Sequence, residues 1–195
     1  MGTGNFSTVD SIPNDPHMVK KTSNVADVNS DDADAYWGYI SKIVENKLWE
    51  NPYFPRVYDI TKIQDKEGKI MYRGKIEKLV ELHDAINNLN DLNSLSRKIV
   101  GQGLDEEKYS NRRIEILNEY FAEFIEKYVK LGEPTGIFRD YSEQDFDSSF
   151  KEACKTLREL GKTGWQIDIH QWNIMVRRGP HGLQLVFSDP FSFKS

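Results

Sequence analysis

Asp168, His170, Asn173 and Asp189 flank two short apolar runs in the stretch DIHQWNIMVRRGPHGLQLVFSDP, residues 168–190. Their types suit phosphate chemistry. Asp168 to Asn173 has the spacing of D-x-x-x-x-N, in which the Asp orients an attacking hydroxyl and the Asn holds a magnesium ion. Mg²⁺ takes oxygen ligands from few protein groups and completes its shell with water and substrate phosphate, so Asn173 and Asp189 form a fitting pair. Between them, NIMVRR and LQLVFS flank Gly179-Pro180-His181-Gly182, which predicts a β-hairpin. Paired strands lie about 5 Å apart. The open end of the hairpin would therefore bring two carboxylates, an imidazole and an amide together. Taken singly, the same residues have plainer roles: Asp168 and His170 as turn caps, and Asp189-Pro190 as a loop breaker.

A second candidate is GTGNFSTV at residues 2–9. It fits G-x-G-x-x-G-x-V, closing on Val9, except that Ser7 replaces the third glycine. Glycines let a backbone turn approach a polyphosphate closely, with main-chain N–H groups as donors. The pair alone is weak evidence, since ordinary turns contain Gly-x-Gly, and the context does not favour a Rossmann motif. A third candidate is MVKK, residues 18–21, which follows the bend IPNDP and reads as a returning strand. Alternation puts Val19 and Lys21 on one face and Lys20 on the other. An inward lysine beneath a glycine turn suits phosphate binding; two solvated lysines at a strand end is the plainer alternative.

The elements that must position these residues fall in two groups. RVYDITKI (56–63) and KIMYRGKIE (69–77) carry β-branched and aromatic residues around the turn Asp65-Lys66-Glu67-Gly68, predicting a second hairpin. Between residues 31 and 49, Tyr36, Trp37, Ile40, Ile43, Val44 and Leu48 recur at helical spacing behind an Asp-rich first turn, and Asn51-Pro52 is the expected stop. From residue 80 the pattern turns helical. Leu82, Ile86, Leu89, Leu92 and Leu95 predict one helix; Ile114, Leu117, Phe121, Phe124, Tyr128 and Val129 predict a stronger one. A third is expected from Ser149, whose spacing to Glu152 fits a capping box, to Gly161. The expected organisation is α+β in two lobes, 1–79 and 80–195, with a break near Glu77-Lys78-Leu79.

The chain has 195 residues, 38% hydrophobic, ample for a packed core. A net charge of −5 gives no basic footprint for nucleic acid. Cys154 is the single cysteine, which excludes an intrachain disulfide and fits a reducing compartment. No apolar run approaches the ~20 residues of a membrane span. Met1-Gly2 invites a myristoylation reading, but Phe6 stands where that motif wants Ser or Thr. A soluble, intracellular protein is expected.

The order of a glycine turn, an inward lysine, a hinge-like break, D-x-x-x-x-N, a hairpin and Asp-Pro is that of a protein-kinase fold. GTGNFSTVDSIPNDPHMVKK, PRVYDI, DIHQWNIM and SDPFSF resemble segments of the early serine/threonine kinases of short-tailed, lytic bacteriophages. The resemblance covers both ends and the hinge; residues 80–160 match only in being helical. It implies a minimal bilobal kinase-like fold: an antiparallel-sheet N-lobe with one helix, and a mostly helical C-lobe carrying the catalytic hairpin. It aligns the glycine-to-lysine segment without gaps and selects Lys21 over Lys20. Gly2, Gly4, Ser7 and Val9 would cover ATP, Lys21 would meet its α- and β-phosphates, and backbone at Glu77–Leu79 its adenine. Asp168 would be the catalytic base, Asn173 and Asp189 the Mg²⁺ ligands, and His170 a donor to the γ-phosphate. The carboxylate gripping Lys21 stays open among Asp31, Asp32, Asp34 and Glu45. The implied substrates are host proteins, notably RNA polymerase, and the kinase itself, in the bacterial cytoplasm, with no direct nucleic-acid or membrane partner.

Three departures bear on this expectation. No residues precede Gly2 to form the strand that normally leads into the glycine motif. Gln166 replaces the His of H-R-D, and Pro190 follows the metal-binding Asp, a form the phage kinases share. Five residues follow Pro190, so an activation segment and late C-lobe are expected to be absent. Two other readings stand beside the kinase. One is a pseudokinase acting as a host-protein interaction module. The other is a small-molecule phosphotransferase, suggested by D-x-H-x-x-N.

Overall fold

The computed structural model describes residues 2–4, 7–23, 35–64, 66, 68 and 70–193. The architecture is α+β, a small antiparallel sheet with helices, divided into two compact units. One unit holds the chain up to Glu50 together with Phe54–Lys78; the other holds Asn51–Tyr53 and Leu79–Lys194.

In the first unit, β1 (Gly2–Gly4), β2 (Ser7–Ile12), β3 (Asp15–Ser23), β4 (Val57–Gln64) and β5 (Ile70–Glu77) form one sheet in the order β1-β2-β3-β5-β4. The glycine motif is thus not a bare loop. Gly2 pairs with Val9 and Gly4 with Ser7, so the motif spans β1 and the start of β2. Its tip, Asn5-Phe6, lies outside the described residues. The turn into β3 works because Pro13 pre-sets its own φ and Asn14 tolerates the left-handed region, at φ 67°. Helix α1 (Ala35–Glu45) buries Trp37, Tyr39, Ile40 and Ile43. Trp37 stacks on Tyr72 of β5 with ring centroids 5.7 Å apart. Gly74 permits that approach: a Cβ there would stand 3.2 Å from the Trp37 ring. The helix ends at Glu45, well before the expected stop at Asn51-Pro52. Lys47 turns left-handed at φ 52° and a 3₁₀ turn, Leu48–Glu50, follows.

The second unit contains β6 (Val80–Glu81), α2 (Leu82–Ala85), α3 (Leu89–Val100), α4 (Glu106–Tyr109), α5 (Ile114–Leu131), α6 (Ser148–Gly161), β7 (Trp165–Ile167), β8 (Ile174–Gly179), β9 (Gly182–Phe187) and β10 (Phe191–Phe193). Two expectations are corrected here. The single helix read through Leu82 to Leu95 is broken at residues 86–88. Asn88 is extended and its side chain accepts the Asp91 N–H at 3.1 Å, which starts α3 afresh. The apolar spacing survived the break because Leu82, Ile86, Leu92 and Leu95 are all buried. Likewise α6 is capped by Asp147, which accepts the Phe150 N–H at 2.9 Å, so Ser149 lies inside the helix and the Ser149–Glu152 box does not form.

The core of this unit is aromatic. Phe124 lies 4.4 Å from Phe138, and Tyr128 lies 4.8 Å from Phe146 and 5.1 Å from Phe150. Burial pushes the Tyr128 phenol up to about 12 and raises the buried Cys154 thiol, which removes Cys154 as a nucleophile. Among the described residues, no helix is long and apolar enough to cross a membrane.

Candidate active site

Strand pairing brings the loop residues together. β7 and β10 pair as far as Ile167 opposite Phe191, so the next residues inward, Asp168 and Pro190, face each other; the Asp168 N–H donates to the Pro190 carbonyl at 2.9 Å. β8 and β9 pair from Ile174 opposite Phe187 to Gly179 opposite Gly182. Asn173 and Ser188 therefore meet at the open end, and the Ser188 hydroxyl donates to the Asn173 carbonyl at 3.1 Å. Residues 168–173 thus run beside 188–190, held by a strand pair at each end. At the closed end Gly182 has φ 87°, where a side chain is strained and a Cβ would meet the Ser94 hydroxyl at 3.0 Å.

Inside the loop, Asn173 is the tie. Its amide nitrogen donates to the Asp168 carbonyl and its amide oxygen accepts the His170 N–H at 2.7 Å. The His170 carbonyl in turn accepts the N–H groups of Asn173 and Ile174 at 3.1 and 3.2 Å. Ile169, only 2% exposed, anchors the loop from below. His170 is exposed, and its Nδ1 accepts the Trp172 N–H at 3.2 Å. In a neutral ring that bond assigns the proton to Nε2, making it an outward donor. Asp168 and Asp189 are both half-buried. The Asn173 amide oxygen and the Asp189 carboxylate are hard oxygen donors of the type Mg²⁺ takes.

In the first unit, β3 places Lys21 opposite Val9 of β2 and Gly74 of β5. Lys21 is half-buried, with Nζ 3.1 Å from the centroid of the Tyr36 ring on α1, a cation–π contact. Of the carboxylates considered for it, Asp31, Asp32 and Asp34 lie outside the described residues. Glu45 pairs instead with Lys42 at 2.7 Å, on the exposed side of α1. Ser7 is placed through its strand pairing alone, opposite Gly4. At the end of β5, the buried Glu77 carboxylate accepts the Arg56 N–H at 2.8 Å, and its N–H donates to the Arg56 carbonyl at 3.0 Å. The Lys78 N–H goes to His17 O at 2.8 Å, and Leu79 begins the second unit.

Sequence reasoning passed over Trp172. It is 57% exposed, and its ring meets His83 edge-to-face with centroids 4.6 Å apart. His83 lies 3.4 Å from Glu81 and 3.2 Å from Asp84, and each of the three offers a ligand-type atom within 4.8 Å of the others. The available signal was a tryptophan among the polar residues His170, Gln171 and Asn173. Beside the loop, Glu119, Glu123 and Glu126 of α5 line a cleft with Ile169, His170 and Gln171. The chain matches no protein-family model, no curated protein and no solved structure.

Proposed function

We propose that the chain is an ATP- and Mg²⁺-dependent serine/threonine protein kinase with a minimal, bilobal kinase-like arrangement, acting on host proteins of the transcription machinery and on itself. What supports this reading is the closure of residues 168–173 against 188–190, which draws together the backbone of the segments that carry Asp168, Asn173 and Asp189. The resemblance of the same residues to the phage kinases supports it.

In this reading Asp168 accepts the proton of a substrate hydroxyl while that oxygen bonds to the γ-phosphorus and the bond to the departing ADP oxygen breaks. Asn173 and Asp189 hold Mg²⁺, which supplies charge neutralisation on the phosphates. His170 donates from Nε2 to a γ-phosphate oxygen. In the first unit, Gly2, Gly4, Ser7 and Val9 of the β1–β2 hairpin cover the ATP, and Lys21 adds a positive charge. The backbone at Glu77–Leu79 meets the adenine.

A second reading is an interaction module that keeps the arrangement without turnover. Transfer of labelled γ-phosphate from ATP separates the two. The wild type should label itself and proteins of a bacterial extract, and Asp168→Ala and Asp189→Ala should each lower the rate by a factor on the order of 10³. A folded wild type that transfers no label would establish the module instead.

A further inference from the structure

A second cleft, of about 380 Å³, borders the same loop on the other side of Gln171. His83, Glu115, Asn118, Glu119, Gln171 and Trp172 contribute to its lining. Its chemistry is acceptor-rich and aromatic. Glu115 and Glu119 are one helical turn apart on α5, both exposed, a like-charge spacing that costs the helix some stability. Glu115 has Arg113 at 3.5 Å, but both side chains are mostly exposed, so the contact is weak and exchangeable. Glu81 and Asp84, packed on His83, add negative potential behind the ring that supports Trp172.

Asn118 points independently to a ligand. It is 3% exposed, it lines this cleft, and its amide oxygen has no hydrogen-bond partner. Buried acceptors are nearly always satisfied, so an orphan at a cleft wall marks a place for a donor from outside. The group that best answers an orphan acceptor, two carboxylates and an exposed indole together is a guanidinium. It carries five donors, no acceptor, a permanent charge and a flat face for stacking. The neighbouring cleft is a poorer candidate, because its Glu123 and Glu126 are already paired with Lys127 and Lys130 at 2.6 Å.

We infer that the Asn118–Trp172 cleft binds an arginine side chain of the protein substrate, making the chain selective for serines or threonines with a nearby basic residue. The word "substrate" rests on the kinase reading; the arginine site itself does not. Binding is therefore measured on the full chain without nucleotide, by fluorescence anisotropy of two labelled peptides, Ala-Arg-Arg-Ala-Ser-Ala and Ala-Glu-Glu-Ala-Ser-Ala. The arginine peptide should bind and the glutamate peptide should not. The Glu115→Gln/Glu119→Gln double variant should weaken binding about tenfold or more, and Trp172→Ala should do the same. The Glu→Gln changes sit on the exposed face of α5, so folding survives them, and circular dichroism checks this. Equal binding of both peptides, or unchanged affinity in the double variant, overturns the inference. Intact, charge-dependent peptide binding in a protein that transfers no phosphate would overturn only the kinase.

Discussion

At the residue scale the loop turns on a single amide. Asn173 bonds two backbone groups, the Asp168 carbonyl and the His170 N–H. No other neutral side chain of this size offers a donor and an acceptor in that geometry. Asn173→Asp keeps the acceptor and the metal-binding oxygen, and adds a charge that Mg²⁺ tolerates. It loses the donor and sets a carboxylate against a carbonyl. The expected outcome is destabilisation of about 1–3 kcal/mol, read by thermal denaturation. A fall in kcat by a factor on the order of 10² should accompany it, as Asp168 loses its fixed position. Retained kcat with lowered stability would make Asn173 a structural tie only. Asp168, Asn173 and Asp189 were legible as a group because their types and spacing carry chemical meaning. The orphan acceptor of Asn118 was not, since an asparagine in the middle of an amphipathic helix reads as a polar-face residue until its burial is known.

At the element scale, strands were easier to read than helix boundaries. Both hairpins form where β-branched runs flank turn residues, with Gly179 opposite Gly182 at one closed end and Gln64 opposite Ile70 at the other. Helix ends depend on which side chain reaches a free N–H, and several near-equivalent candidates compete within a few residues. Around α6 the spacing pointed to Ser149, and the structure selects Asp147. This predicts an asymmetry. Asp147→Ala should cost about 1 kcal/mol, visible as a lowered denaturation midpoint, whereas Ser149→Ala should be within about 0.5 kcal/mol of neutral. The reverse order would restore the Ser149–Glu152 box. The broken helix at residues 86–88 escaped reading for a related reason. Burial keeps Leu82, Ile86, Leu92 and Leu95 apolar whether or not one continuous helix carries them. The short strand Gly2–Gly4 carries a weak signal, since two of its three residues are glycines, and it forms by pairing with Ser7–Val9.

At the scale of the whole molecule, charge sets the terms on which a charged partner arrives. The chain carries 26 Lys and Arg against 31 Asp and Glu, a net −5. On the second unit, Glu115, Glu119, Glu123 and Glu126 lie along α5 beside the loop that holds His170. A field of this sign draws basic segments toward the loop and turns acidic ones away, and it is screened over about 8 Å at physiological ionic strength. Long-range attraction acts on encounter, whereas the chemical step depends on groups already in contact. If the proposed kinase activity holds, kcat/KM for an arginine-containing substrate peptide should therefore fall several-fold between roughly 20 and 200 mM salt while kcat holds nearly constant. An alanine-substituted peptide should show little dependence. Initial rates across a salt series with both peptides make the measurement. Parallel slopes for the two would show that salt acts on nucleotide or metal binding and would remove the acidic helix from substrate recognition. A slope confined to the arginine peptide and flattened by Glu115→Gln/Glu119→Gln would tie the whole-molecule charge to one cleft.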